Sequence, residues 1–163
     1  MSMAYDVRGF LRWFKAARAG DTCLYHAGNL ATDRAKDGHL NDLADTVMLL
    51  NETGAVRASQ YRQYLFIMDV WSYIAIRANG GYIPKDIVTG KITSREWRAL
   101  RAVRDRDADI SATRAIRDAL SASWLSSDAT AKDLLQSLAE RKLVEEAPSK
   151  GWQLTKIGLR AMT

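Results

Sequence analysis

The chain has 163 residues, 47% hydrophobic and 26% charged, so it suits one ordinary domain or two small ones, and its single cysteine excludes an internal disulfide. No apolar run approaches the roughly 20 residues needed to span a bilayer, and Asp6, Arg8 and Arg12 interrupt any signal-peptide core, so a globular cytoplasmic protein with no membrane partner is expected. The net charge of +5 and pI of about 9.5 favour polyanionic partners, but the charge is spread evenly, with 11 basic and 9 acidic residues up to Ile92 and 13 and 10 beyond it.

In chain order, Val7, Phe10, Leu11, Phe14 and Ala17 keep helical spacing within Tyr5 to Ala19, while Arg8, Arg12, Lys15 and Arg18 take much of the other side. Such a helix either lies on an anionic membrane or buries its apolar face in a core; the strand and helix patterns that follow it favour the core. Thr22 to His26 has strand propensity, Gly28-Asn29 is a turn, and Leu30 to Lys36 a short helix. Leu40, Leu43, Ala44, Val47 and Leu50 predict a second amphipathic helix from Leu40 to Thr53, stopped by Gly54. Two β-rich runs follow, Ala55 to Tyr61 and Leu65 to Arg77, the second apolar enough to be a buried strand. Arg57, Tyr61, Arg62 and Tyr64 make this hairpin basic and aromatic, a mixture suited to phosphates and exposed bases, with a solvated edge as the plainer reading. Asn79-Gly80-Gly81 and Pro84 to Lys91 are rich in turn residues, and 83–92 reads as a linker between a unit over 1–82 and one over 93–163.

Beyond it, Thr93 to Arg106 predicts a helix with Trp97, Leu100 and Val103 inward and Thr93 or Ser94 as cap. The stretch from Ile110 to Ser121 predicts another, started by Ser111. Arg95, Arg98, Arg101 and Arg104 recur every third residue and wind around the first of these, so at most two share a surface. Ala131, Leu134, Leu135, Leu138 and Ala139 then form one face of a helix over Ala131 to Leu143, with Thr130 as cap. Leu143 to Glu146 and Trp152 to Thr155 read as two strands around the turn 147–151, and Thr155 caps a closing helix.

Catalysis finds no support in the sequence. Cys23, His26 and His39 are too few for a zinc site, where about four ligands are needed, and a satisfied cysteine and histidine on a strand is the better reading. No glycine-rich phosphate loop and no nucleophile motif occurs, and Asp105, Asp107 and Asp109 lack the glycine and terminal glutamate of a calcium loop. The chain is therefore expected not to be an enzyme and to need no cofactor.

The words Leu-Ala-Glu-Arg-Lys-Leu-Val-Glu-Glu at 138–146 and Trp-x-Leu-Thr-x-x-Gly at 152–158, behind two helices, resemble the C-terminal half of winged-helix domains, especially the MarR-like group. The resemblance covers Ile92 to Thr163. It implies that the helix before the hairpin enters the major groove of duplex DNA and that the hairpin is the wing. On that reading Lys132, Gln136 and Ser137 project toward the bases with Thr130 near the start of the helix, Arg141 and Lys142 touch the backbone, and Lys150 reaches a flanking groove from the wing. In the N-terminal half the element order, and the echo of 140–145 at 51–57, resemble a second such unit, with Arg57 and Arg62 as its contacts. The expected fold is thus α+β and mostly helical, two winged-helix-like units in tandem with small antiparallel hairpins. The expected function is that of a bacterial or phage transcriptional regulator, and a homodimer, if formed, falls to the N-terminal unit. Asp133, Glu140, Glu145 and Glu146 leave the recognition surface nearly neutral, which supports a second reading. In it the winged helix docks on a protein, as a phage-borne, anti-CRISPR-like inhibitor of a host nucleic-acid machine would.

Overall fold

The structure is a computed structural model, described over residues 1–65, 68–107, 109–120, 127–148 and 151–162, with the side chains of 64, 65, 68 and 69 left out. It is an α+β fold of two compact units, Met1–Ile83 and Pro84–Thr163.

The N-terminal unit contains β1 (Ser2–Met3), α1 (Val7–Ala16), β2 (Thr22–Ala27), α2 (Leu30–Arg34), α3 (Gly38–Glu52), β3 (Val56–Leu65) and β4 (Met68–Arg77). Each helix starts where a side chain accepts from free backbone N–H groups: Asp6 for α1, Asn29 for α2 and Asp37 for α3. The hairpin predicted from the β-rich runs is present, with β3 longer and β4 shorter than expected, but it belongs to a larger sheet. The four strands run β1-β2-β4-β3, with β1 parallel to β2 and the other pairs antiparallel. The apolar β4 is an inner strand of that sheet but is not buried along its length as its composition suggested: of its described side chains Ser72 and Ala75 are buried, while Trp71 is exposed. Phe10, Leu11 and Phe14 of α1 and Leu43, Val47 and Leu50 of α3 form the core with Cys23, Tyr25, Val56 and Ala75 of the sheet. The apolar face of α1 is accordingly used in the core.

A register shift between Leu24 and His26 puts a bulge in β2. It lets the consecutive Tyr25 and His26 both serve the helix side, Tyr25 in the core and His26 bonded to Asp33 of α2 at 2.9 Å. Gly28, at φ +141°, permits this, because a Cβ there would stand 2.7 Å from the Asp33 carboxylate.

The C-terminal unit contains α4 (Lys85–Val88), α5 (Ser94–Asp105), α6 (Ala112–Ala119), α7 (Asp128–Glu140), β5 (Val144–Ala147), β6 (Gly151–Leu154) and α8 (Lys156–Ala161). The stretch 83–92, read as a linker from its turn residues, instead folds around α4 and buries Pro84, Ile87 and Ile92. Trp97, Leu100 and Val103 of α5, Ile116 of α6, and Ala131, Leu135 and Leu138 of α7 are buried, as are Leu143 and Val144 where β5 begins. The hairpin pairs Val144 with Leu154 and Ala147 with Gly151.

Candidate nucleic-acid interface

Three helices followed by a hairpin position the residues singled out above. Helix α5 opens with a capping box: the Thr93 hydroxyl accepts from the Glu96 N–H, and the Glu96 carboxylate accepts from the Thr93 N–H. Ser111 caps α6 as expected. Helix α7 begins three residues earlier than its apolar spacing indicated, with Ser127 as the cap accepting from the Thr130 N–H at 3.1 Å. Thr130 lies inside the first turn, half-buried, with its hydroxyl 2.9 Å from that of Ser127.

The buried stripe Ala131, Leu135 and Leu138 leaves Lys132, Asp133, Gln136 and Glu140 exposed and Ser137 half-exposed. The side chains of Lys132 and Gln136 have no hydrogen-bond or ion-pair partner among the described residues. They stand one turn apart on the outward face and are the pair that the fold presents together. Arg141 is used differently: its guanidinium donates to the Glu96 carboxylate and to the Lys91 carbonyl, fastening the end of α7 to the start of α5. Lys150 lies outside the described residues, and so does the Tyr64 side chain. Arg57 and Arg62, five residues apart on β3, fall on opposite faces of the sheet, Arg57 level with Ile76 and Arg62 level with Trp71.

Local charge is balanced. Asp133 and Glu140 share the outward side of α7 with Lys132, and Glu145 and Glu146 are exposed on β5. On α5 and α6 the outward arginines are matched by aspartates. Arg101 and Arg104 lie 3.5 and 2.6 Å from Asp105, and Arg117 lies 3.2 Å from Asp118 and 3.0 Å from Asp128. The hydrogen bond from Arg104 holds the Asp105 carboxyl below its usual range. Of the four arginines spaced by three, Arg98 is buried, Arg95 half-buried, and Arg101 and Arg104 exposed, so two share the surface.

Comparison with protein-family models, curated proteins and solved structures gave no match. The chemistry of the site therefore rests on its own residues. Among the described residues no group of three His, Cys, Asp or Glu side chains is placed to hold a metal ion. Cys23 is fully buried with its thiol pushed up to about 11 by burial, and His26 is engaged by Asp33.

Two features escaped the sequence reading. Arg106, at the end of α5, donates to the Ile110 carbonyl at 2.9 Å and to the Trp152 carbonyl at 2.7 Å, tying the α5–α6 connection to β6. The open cleft of about 970 Å³ beside it is lined by Val103, Ile110, Trp152, Leu154 and Leu159, among others. In the N-terminal unit Arg34 donates to Asn41 at 2.9 Å and to Asp45 at 2.5 Å, a pair whose side chains are only 10% and 4% exposed. Arginine and aspartate eleven residues apart carry no local signal of such a contact.

Proposed function

We propose that the C-terminal unit binds duplex DNA through α7, as a small bacterial or phage regulator of transcription would, with the β5–β6 hairpin as a wing. The observation that carries this reading is the outward pair Lys132 and Gln136. Both are unpartnered among the described residues, on the third helix of a three-helix cluster that runs into a hairpin. Gln136 has the amide geometry to bond adenine N6 and N7, while Lys132 suits guanine or a phosphate. Ser137 and Thr130 lie further round the helix, Ser137 half-exposed and Thr130 with its hydroxyl 2.9 Å from that of Ser127. Arg141 acts indirectly, fixing α7 against α5.

The test is anisotropy of a random pool of labelled duplexes at several salt concentrations, for the wild type and for Lys132→Ala combined with Gln136→Ala. Binding that weakens with salt, and weakens further in the variant, supports the reading. Wild-type and variant curves that superimpose reject this surface.

A second reading is favoured by Asp133, Glu140, Glu145 and Glu146, whose exposed carboxylates offset the attraction of Lys132 for phosphate. In that reading the same face docks on a protein, as an inhibitor of a nucleic-acid machine would. Stoichiometric co-purification of one partner that survives nuclease treatment, and is lost in the same double variant, distinguishes it.

A further inference from the structure

A run of unbalanced charge lies elsewhere, on α1. Arg8, Arg12 and Lys15 are all exposed, and their spacing of four and three residues aligns them on one face of the helix. Arg18, also exposed, follows just past the helix end. None of these four side chains has an ion-pair or hydrogen-bond partner among the described residues. The two acids nearby in sequence serve the backbone: Asp6 accepts from the Gly9 N–H at 2.6 Å, and Asp21 accepts from the Arg18 N–H at 2.8 Å. Helices α5 and α6 show the opposite design. Arg101, Arg104, Arg114 and Arg117 each lie within 3.9 Å of an aspartate. Cations are neutralised there and left open on α1.

We propose that the Arg8, Arg12 and Lys15 stripe is a separate contact for the phosphate backbone of duplex DNA, a partner choice that rests on the DNA reading of the C-terminal unit. The stripe extends over about 10 Å of helix at 1.5 Å per residue, a length in which one strand of a duplex presents about three phosphates. Long, flexible side chains with point or forked donors suit phosphate oxygens and read no bases, so this contact is independent of sequence. An anionic membrane offers charge as well, but a helix held at a lipid interface sinks its apolar face into the bilayer. Here that face is occupied: Phe10, Leu11 and Phe14 are buried against α3 and the sheet. What α1 offers to a partner is charge without an insertable apolar side, which selects the duplex over the lipid surface.

The experiment uses the full chain carrying Arg8→Gln, Arg12→Gln and Lys15→Gln together, in the wild-type background and in the Lys132→Ala, Gln136→Ala background. Binding to random-sequence duplexes is measured across salt, and binding to vesicles of phosphatidylserine and phosphatidylcholine alongside. All three α1 side chains are exposed, so the melting temperature is expected to hold. The expected result is a fall of about 3 in the slope of log K against log salt, equal for all duplex sequences and present in both backgrounds. A slope left unchanged by the α1 substitutions overturns the inference whatever the α7 variant does. A slope lowered by them but indifferent to the α7 pair supports the inference and rejects the α7 surface. Wild-type binding to vesicles with none to duplexes, or to neither, overturns it as well.

Discussion

Gly158 shows how closely one residue can be fixed by its surroundings. A Cβ built there would stand 2.0 Å from the Leu143 carbonyl oxygen, so α8 lies on the junction of α7 and β5 only because position 158 lacks a side chain. Thr155 completes the joint. Its hydroxyl donates to the Lys142 carbonyl at 2.6 Å and accepts from the Gly158 N–H at 3.1 Å, and its own N–H donates to the Leu143 carbonyl at 3.1 Å. The Leu-Thr-x-x-Gly ending thus has a physical meaning, a cap and a close approach that together seat the last helix. Gly158→Ala must push the two backbones apart and is expected to lower stability by about 1–3 kcal/mol, seen as a lower urea midpoint. An unchanged midpoint would show that the contact is looser than the geometry indicates. The Arg34–Asp45 pair predicts a larger effect. Asp45→Ala leaves a guanidinium buried without its countercharge, at an expected cost of about 3–5 kcal/mol, whereas Arg34→Met with Asp45→Leu restores much of the loss by removing both charges. Equal damage from the single and double variants in urea titrations would contradict that account.

At the scale of elements, what could be read from the sequence were the segments whose causes are local. The Thr93 cap, the apolar triplet Trp97, Leu100 and Val103, the Ser111 cap and the closing Thr155 all appear where periodicity and capping chemistry placed them. Helix α7 was displaced because its N-terminus offers two hydroxyls three residues apart. The apolar stripe begins at Ala131, which made Thr130 the natural cap, yet Ser127 takes the role and adds a turn that contributes little apolar surface. The difference is measurable. Ser127→Ala is expected to cost about 1 kcal/mol as the loss of a helix cap, and Thr130→Ala distinctly less. The reverse order in thermal melts would return the cap to Thr130. The bulge in β2, the parallel pairing of Ser2 and Met3 with Cys23 and Leu24, and the Arg106 clamp depend on contacts between distant residues. No periodicity encodes them. The candidate site was legible to the same extent: Lys132 and Gln136 emerge on the outward face, while Arg141 is diverted to Glu96 by a partner 45 residues away.

Over the whole molecule, the two units handle titratable groups in different ways. In the C-terminal unit the Arg104 and Asp105 pair is exposed, so water and salt weaken its interaction. Among the described residues of the N-terminal unit, Cys23 and Tyr25 are buried and lose protons at alkaline pH. Burial pushes the Cys23 thiol up to about 11 from an ordinary 9.0, and burial, with a smaller contribution from Tyr73, pushes the Tyr25 phenol up to about 12 from 10.0. Both folded values exceed the unfolded ones, so the folded state holds these protons more tightly. Their contribution to stability is complete below pH 9 and is lost as pH rises, first through the cysteine window from 9 to about 11 and then through the tyrosine window from 10 to about 12. The urea midpoint of the protein is therefore expected to fall progressively over that range. Tyr25→Phe removes the phenol and should flatten the fall between pH 10 and 12, while Cys23→Ala should flatten the part that begins at pH 9. Each variant starts from a lower midpoint at neutral pH, having lost buried atoms, so it is the slope against pH that decides. Slopes identical to the wild type would mean that water reaches the thiol and the phenol, and that the sheet opens beside β2 before either group ionises.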